Sequence, residues 1–375
     1  MLLPVRIVDS VMLLKRFFAT NYRNILSCDI VFEKGVNILL GSNAQGKTNA
    51  LEGIYYFARG RGFRTSSDSD LIRFGERGFD TSITFESQGR EQTLSYSFYD
   101  GKRVRERNGH SVKLTDMIGH FRAVLFYPEH LQIVKAGPEK RREFLNIAIS
   151  QNDRTYVGYY AEYCKILENR NFLLKTAQKG GFIDMTELQA WSQKMAECAA
   201  QVYLARKRYI EGLSPIASLI LEDISSGREK MELRYITDGA GDTFEEAFDA
   251  YLKRFTEDLI HECQAGCSLY GVHRDDMDIL CGGISARSFA SQGQQRSAVL
   301  ALKLAEGEYS HTLTGEYPVF LFDDVLSELD ETRRQYVLGQ AENKQMILTS
   351  CDLGENFHAF HRVIVEGGTY VSTHR

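Results

Sequence analysis

Eight consecutive residues, Gly41-Ser42-Asn43-Ala44-Gln45-Gly46-Lys47-Thr48, carry the strongest chemical signal in the chain. The two glycines let the backbone curl until successive N–H groups face inward, as phosphate oxygens require. Lys47 would reach the β- and γ-phosphates of a nucleotide, and Thr48 would set its hydroxyl on Mg²⁺. A second signal is the apolar run Val319-Phe320-Leu321-Phe322 ending in Asp323-Asp324. Paired carboxylates there suit a metal ligand, Asp323, beside a residue that orients an attacking water, Asp324. Taken alone, the same pair reads equally as a helix cap after a strand; the upstream phosphate loop favours the nucleotide chemistry. Third, Ser291-Gln292-Gly293-Gln294-Gln295-Arg296 opens an apolar helical run from Ala298 to Ala305, a second anion-friendly helix start. One nucleotide needs one phosphate loop, so this start is expected to serve a nucleotide held by a neighbouring subunit; read alone, it is a Ser-capped surface helix.

Elements that could position these groups are visible around them. Ile38-Leu39-Leu40 reads as a strand ending at Gly41, and Thr48 to Ala58 as the helix that follows. Tyr317 to Phe322 and Gln345 to Thr349 are apolar runs of the buried parallel type, with a helix carrying Arg333, Arg334 and Tyr336 between them. Asp100-Gly101 and Asn108-Gly109 are tight-hairpin pairs, predicting a meander whose middle strand carries Lys102, Arg103, Arg105 and Arg107. That strand is either a solvated edge or a phosphate-contacting surface. In the middle of the chain, Leu188, Trp191, Met195, Cys198, Val202, Ala205 and Tyr209 form a heptad seam. Tyr156, Tyr160, Tyr163, Leu167 and, past polar Arg170, Leu174 form another, with Lys179-Gly180-Gly181 as the break. These predict an antiparallel helix pair of about 35 Å, joined by a further helix from Glu245 to Cys263. The organisation is an α/β unit of residues 1–150 and 265–375, split by a helical lobe of residues 151–264.

Composition narrows the classes further. The 375 residues are 43% hydrophobic with a net charge of −5, which excludes wholesale disorder and a uniformly basic coat. No run approaches the ~18 apolar residues of a membrane span, and Arg6 and Asp9 interrupt any leader-like core, so a cytoplasmic protein is expected. The seven cysteines are scattered and odd in number, so reduced thiols are expected. His261, Cys263, Cys267 and His273 are too closely spaced for the usual zinc finger.

The phosphate loop, the distant Ser-x-Gly-Gln signature, the carboxylate-ended strand and Ser327-Glu328-Leu329-Asp330 as a D-loop together resemble an ABC-type ATPase head. In order and detail the chain is similar to the RecF family of bacterial recombinational-repair ATPases. The stretches that carry this are GSNAQGKTN (Gly41 to Asn49), GFRTSSDSDLIRFG (Gly62 to Gly75), FYPEHL (Phe126 to Leu131), GPEKRREFLN (Gly137 to Asn146), ENRNFLL (Glu168 to Leu174), GVHRDD (Gly271 to Asp276), SQGQQR (Ser291 to Arg296) and LFDDVLSELD (Leu321 to Asp330). The resemblance implies an α/β fold: a split ABC-type head with an inserted helical lobe and no long coiled coil. It implies ATP and Mg²⁺ as cofactors, with Gly41, Ser42, Asn43, Ala44, Gln45, Gly46, Lys47, Thr48, Asn49 and Asp323 binding in cis. Thr48 and Asp323 would face the metal, with Lys47 and Asp324 catalytic. Ser291, Gly293, Gln294 and Asp330 would contact ATP in trans, in a homodimer formed on ATP binding. Asp324 stands where many ABC ATPases have glutamate, so slow hydrolysis fits a switch better than a motor, and the resemblance implies a weak, DNA-dependent ATPase.

The implied partners are double-stranded and gapped DNA, RecR, RecO and, indirectly, RecA, in DNA replication, repair and the SOS response. Candidate DNA contacts are Arg64, Arg103, Arg105 and Arg141, from basic stretches that the net charge averages away. The sequence departs from the family at Val272, usually proline, and at His130, usually acidic, in the Tyr127-Pro128-Glu129-His130 loop. It also lacks the ABC switch histidine: the last apolar strand ends Thr349-Ser350-Cys351. Family members begin near Met12, so translation is expected to start there, downstream of Met1 to Val11. The transporter-ATPase alternative suffers from the long interval between Gly46 and Ser291 and from the missing histidine. A small-molecule kinase would leave the signature and D-loop unexplained.

Overall fold

The structure, a computed structural model, describes residues 10–65, 67–351 and 360–373. Of the residues upstream of the expected start at Met12, residues 1–9 lie outside the described residues and Ser10–Val11 forms a short strand. The chain divides into two compact units, one of residues 1–131, 223–227 and 299–375, the other of residues 132–222 and 228–298. Residues 132–150 and 265–298 thus group with the helices rather than with the phosphate loop.

The first unit is built on two sheets. One has six strands among the described residues, in the order Thr369–Thr373, His361–Glu366, Val36–Leu40, Met346–Ser350, Val319–Phe322, Ala123–Phe126. Its neighbours pair in parallel except Thr369–Thr373, which is antiparallel to His361–Glu366. Val319–Phe322 and Ala123–Phe126 are buried at every position, the signature of a strand covered on both faces. The expected strand from Tyr317 to Phe322 is divided at Pro318, which has no N–H to give a ladder. Glu316–Tyr317 pairs instead with Ser10–Val11. The helix Lys47–Arg59 follows the phosphate loop, and its Gly53 meets the Phe17 ring of the second sheet so closely that a β-carbon would collide. That sheet is antiparallel, in the order Ile25–Val31, Leu13–Tyr22, Gly78–Ser87, Arg90–Tyr99, Lys102–Arg107, His110–Ser111. Its two predicted hairpins have both central residues left-handed, Asp100 at φ 49° with Gly101 at 79°, and Asn108 at 51° with Gly109 at 78°. This is the turn that matches strand twist.

The second unit is mainly helical. Arg154–Gln178 and Met185–Ile224 contain 25 and 40 residues, about 38 and 60 Å at the α-helical rise. Arg170 Nε reaches Ser192 Oγ at 3.0 Å and Arg206 Nε reaches the Tyr156 hydroxyl at 3.1 Å. As one number rises the other falls, so the helices run antiparallel as the seams predict. Leu188, Met195, Cys198, Val202, Ala205 and Tyr209 are buried, whereas Trp191 is partly exposed and bonds Glu187 at 3.2 Å. Two expectations for the lobe are corrected. Glu245 to Cys263 is two helices, Phe244–Glu257 and Leu259–Ala265, parted at Asp258 where ψ opens to 14°. The lobe also contains a strand, Met231–Ile236, which pairs antiparallel with Asp276–Cys281.

Three of the family-like stretches meet inside this unit. Arg170 and Arg206 are among its largest fully buried side chains. Arg170 bonds Glu262 at 2.5 Å and Ser268 at 2.7 Å, and Arg206 bonds Asp275 at 2.9 Å and Asn146 at 2.9 Å. His273 sits beside them, its Nδ1 2.6 Å from the Tyr163 hydroxyl and its Nε2 3.1 Å from the Ser268 carbonyl. A carbonyl only accepts, so Nε2 carries the proton and Nδ1 accepts from Tyr163. Burial holds this imidazole down at about 4, so it is neutral at pH 7.

Arg170→Met strands the Glu262 carboxylate, and the expected loss is about 3–5 kcal/mol in urea unfolding; the double variant with Glu262→Gln should recover most of it. The His273 linkage has a definite sign. An unfolded histidine takes up its proton near pH 6.5, the folded one near 4, so folding stability should fall as pH drops through that window. The stability difference between wild type and His273→Gln, followed from pH 7 to pH 4, should shrink over the same interval.

Candidate functional site

The phosphate loop spans the turn between Val36–Leu40 and Lys47–Arg59. Gly41 lies against the Val365 carbonyl, where a β-carbon would collide, and Gly46 has φ 117°, with Asn24 and Tyr370 where a side chain would go. Lys47 is buried and its ammonium donates to the carbonyls of Gly41 and, at 2.9 Å, Ser42. The loop is braced from outside: the Tyr370 hydroxyl donates to Gly46 O at 2.8 Å and Gly367 N to Gln45 Oε1 at 2.5 Å. Asn24 donates to Ala44 O at 3.4 Å and accepts from Asn49 at 2.5 Å. Cys351 Sγ, at the end of Met346–Ser350, donates to Asn43 Oδ1 at 2.8 Å and lies 3.4 Å from Lys47 Nζ.

The strand Val319–Phe322 delivers Asp323 to the same edge. Thr48 Oγ1 donates to Asp323 Oδ1 at 2.8 Å, and Thr349 Oγ1 donates to the same oxygen at 3.0 Å. Asp323 N donates to the Phe126 carbonyl at 2.9 Å. Burial pushes the Asp323 carboxyl up, against the hydroxyls of Thr48 and Thr349 and the charge of Arg64. Asp324 is exposed with φ 54°, its N–H held by Thr349 Oγ1 at 2.8 Å, and Ser327 Oγ lies 3.2 Å from its Oδ1. Thr349 was legible in the sequence only as the end of an apolar strand. A polar residue closing such a run beside a carboxylate-ended strand is the signal that would have found it.

This donor set fits a hard divalent cation. A hydroxyl and a carboxylate converge on one spot, and Mg²⁺ takes few protein oxygens, leaving room for water and phosphate. The inward-turned loop with Lys47 at its base fits nucleotide phosphates. Among the described residues no group of three or more His, Cys, Asp or Glu is placed to hold a metal by itself.

Arg64 lies beside the phosphate-loop helix, bonded to Asn49 and, at 2.9 Å, to Glu52, which also pairs with Arg23. Although burial opposes it, these two arginines hold the Glu52 carboxyl below its ordinary value. Arg103 pairs with Asp68 at 2.6 Å, and Arg105 lies 3.3 Å from the Tyr56 hydroxyl and over the Tyr96 ring. Asp330 caps the helix Glu331–Gly339 through Arg333 N at 2.9 Å. His130, in place of the acidic residue, packs its ring 4.2 Å from that of Tyr127.

In the second unit, Ser291 and Gln294 cap each other reciprocally: Ser291 N donates to Gln294 Oε1 at 2.7 Å and Gln294 N to Ser291 Oγ at 3.3 Å. The Gln294 amide also donates to Glu229 at 2.9 Å, and Gly293 lies in the first turn of the helix Gln292–Thr314. Arg141 is corrected as a DNA contact. It is 5% exposed, forked onto Asp276 at 2.6 and 2.9 Å, and spends a further nitrogen on the carbonyls of Ile133 and Ala136.

Comparison with known proteins agrees with this architecture. Residues 13–365 match the model of the RecF/RecN/SMC N terminal domain family. The DNA replication and repair protein RecF of Staphylococcus epidermidis is 38% identical over 86% of this chain and 89% of its own. That of Clostridium acetobutylicum is 35% identical over 92% and 94%. A solved structure of the recombination mediator protein RecF-ATP in the RecFOR pathway superposes with a TM-score of 0.91 at 34% identity, covering 98% of this chain and 99% of that one. The Smc head domain of Pyrococcus furiosus, at 16% identity and a TM-score of 0.56 over 97% and 96% of the two chains, shares the fold. The expected α/β head is therefore the observed one, and the chain belongs to the RecF family within the RecF/RecN/SMC N-terminal-domain proteins.

Proposed function

We propose that this protein is an ATP-switched DNA-binding protein of replication and recombinational repair. The observation that carries the reading is the meeting of Thr48 and Asp323 beneath the phosphate loop, the constellation that positions a nucleotide triphosphate and its metal. Lys47 and the loop amides bind and orient the phosphates, while Thr48 and Asp323 would hold Mg²⁺, whose charge supplies electrostatic stabilisation. Asp324 orients the attacking water from the exposed end of its strand. Ser291, Gly293, Gln294 and Asp330 act in trans, completing the site of a second copy in an ATP-induced homodimer. Slow hydrolysis then resets the dimer.

DNA, double-stranded or gapped, is the macromolecular ligand, with Lys102, Arg103 and Arg105 on the basic strand and Arg64 near the loop as candidate contacts. The RecFOR pathway named for the solved relative points to RecR and RecO as partners and to RecA loading as the outcome. Cys351, where an ABC transporter head carries its switch histidine, disfavours the transporter alternative.

Sedimentation with ATP and gapped DNA tests this. Lys47→Arg is expected to lower ATP turnover about 100-fold, the scale of losing one preorganised donor, with the fold retained by circular dichroism. Ser291→Arg is expected to leave ATP binding by the monomer intact and abolish the ATP-dependent dimer; normal dimerisation of this variant would rule out action in trans.

A further inference from the structure

We propose that Thr349 is a positioning residue for hydrolysis, one hydroxyl that locks the Asp323 carboxylate and the Asp324 peptide into a fixed relation. The proposal rests on the reading of the site as an ATPase. A hydroxyl has one hydrogen to give and lone pairs to receive, and Thr349 uses both kinds of group at once. It donates to Asp323 Oδ1 at 3.0 Å and accepts from Asp324 N at 2.8 Å. The side chain is buried in Met346–Ser350, the strand that lies between the phosphate-loop strand and the carboxylate strand.

The two aspartates part company at this point. Asp323 is held from the other flank, its N–H on the Phe126 carbonyl at 2.9 Å, and stays buried. Asp324 turns into the left-handed region at φ 54°, which puts it in the exposed position from which it can meet water. Aspartate enters that region more readily than most residues, and a bond to its amide fixes it there. Among the described bonds, the tie to Thr349 is what holds the Asp324 amide. Ser327 Oγ also donates to the Asp324 carbonyl at 2.8 Å and lies 3.2 Å from its carboxylate, but only the Thr349 hydroxyl, among the described bonds, ties this turn to the Asp323 carboxylate as well.

Valine at 349 keeps the shape and removes the hydroxyl; serine keeps the hydroxyl and removes a methyl. The full chain as wild type, Thr349→Val, Thr349→Ser and Lys47→Ala is compared by titration with mant-ATP and Mg²⁺, by steady-state ATP hydrolysis, and by thermal unfolding without nucleotide. Thr349→Val should bind mant-ATP within about twofold of wild type while kcat falls about 10–100-fold, the range seen when a partner of a metal-facing ligand is lost. Its unfolding midpoint without nucleotide should also fall, since the buried bond to the Asp323 carboxylate and the part-buried bond from Asp324 N are both lost. Thr349→Ser should stay near wild type in all three.

Wild-type turnover by Thr349→Val overturns the proposal. So does a loss in Thr349→Ser as large as in Thr349→Val, which would assign the effect to packing of the methyl. An affinity loss that matches the turnover loss overturns it as well, because Thr349 would then act on binding. If wild type and Lys47→Ala bind mant-ATP alike, the ATPase reading itself fails and takes the proposal with it.

Discussion

Thr48 and Asp323 lie 275 positions apart in the chain, yet one donates a hydrogen bond to the other at 2.8 Å. Everything chemical in the first unit follows from bringing those two side chains together. Their backbones are held apart by one intervening strand, with Leu348 registered against both Ile38 and Phe322. Two strand spacings amount to about 10 Å, a gap that a loop and two short side chains close. A slip of one residue in either ladder would turn Asp323 or Thr349 to the opposite face. The buried apolar run on each of these strands is what forbids the slip, so the core's hydrophobic pattern sets the polar geometry at its edge.

The second unit solves a different problem. Its helix pair carries two guanidinium groups into the interior, and the stretches at 137–146 and 271–276 supply Asn146, Val272 O and Asp275 to one of them, Arg206. Such groups gain the protein little net stability over apolar replacements. Their effect is on register: Arg170 accepts only the alignment that presents Ser192, Ser268 and Glu262 together. The reciprocal cap of Ser291 and Gln294 works at smaller scale, fixing where a helix begins.

What was legible in the sequence was what the local backbone demands. A phosphate loop needs glycines at set places, and Asp-Gly and Asn-Gly pairs need left-handed φ, so these were placed correctly. The helix seams were legible because heptads are local. Arg170 sat on its seam in plain sight, and a charge at a seam position is itself a sign of a buried partner. The larger misreadings share one cause, a partner distant in sequence. Arg141 read as part of a basic surface run because Asp276, which takes its charge, lies 135 positions away. The strand Met231–Ile236 was hidden for the same reason, its ladder partner being Asp276–Cys281. Pro318 and Asp258 show the smaller failing, in which apolar pattern ran on through a residue that ends an element.

The bracing of the phosphate loop by Tyr370 and Gly367 also has a consequence for synthesis. The loop is made early, but these two supports and both ladder neighbours of Val36–Leu40 come from residues 346–350 and 361–373. At ribosomal rates of about 5–20 residues per second, the loop waits tens of seconds for them. During that interval Val36–Leu40 is an apolar strand without neighbours, on a nascent chain that has no finished nucleotide pocket. The protein therefore passes through a translational stage in which this apolar strand is unpaired and its phosphate loop is unbraced on that side, and completion of the last hairpin supplies the remaining partner of both.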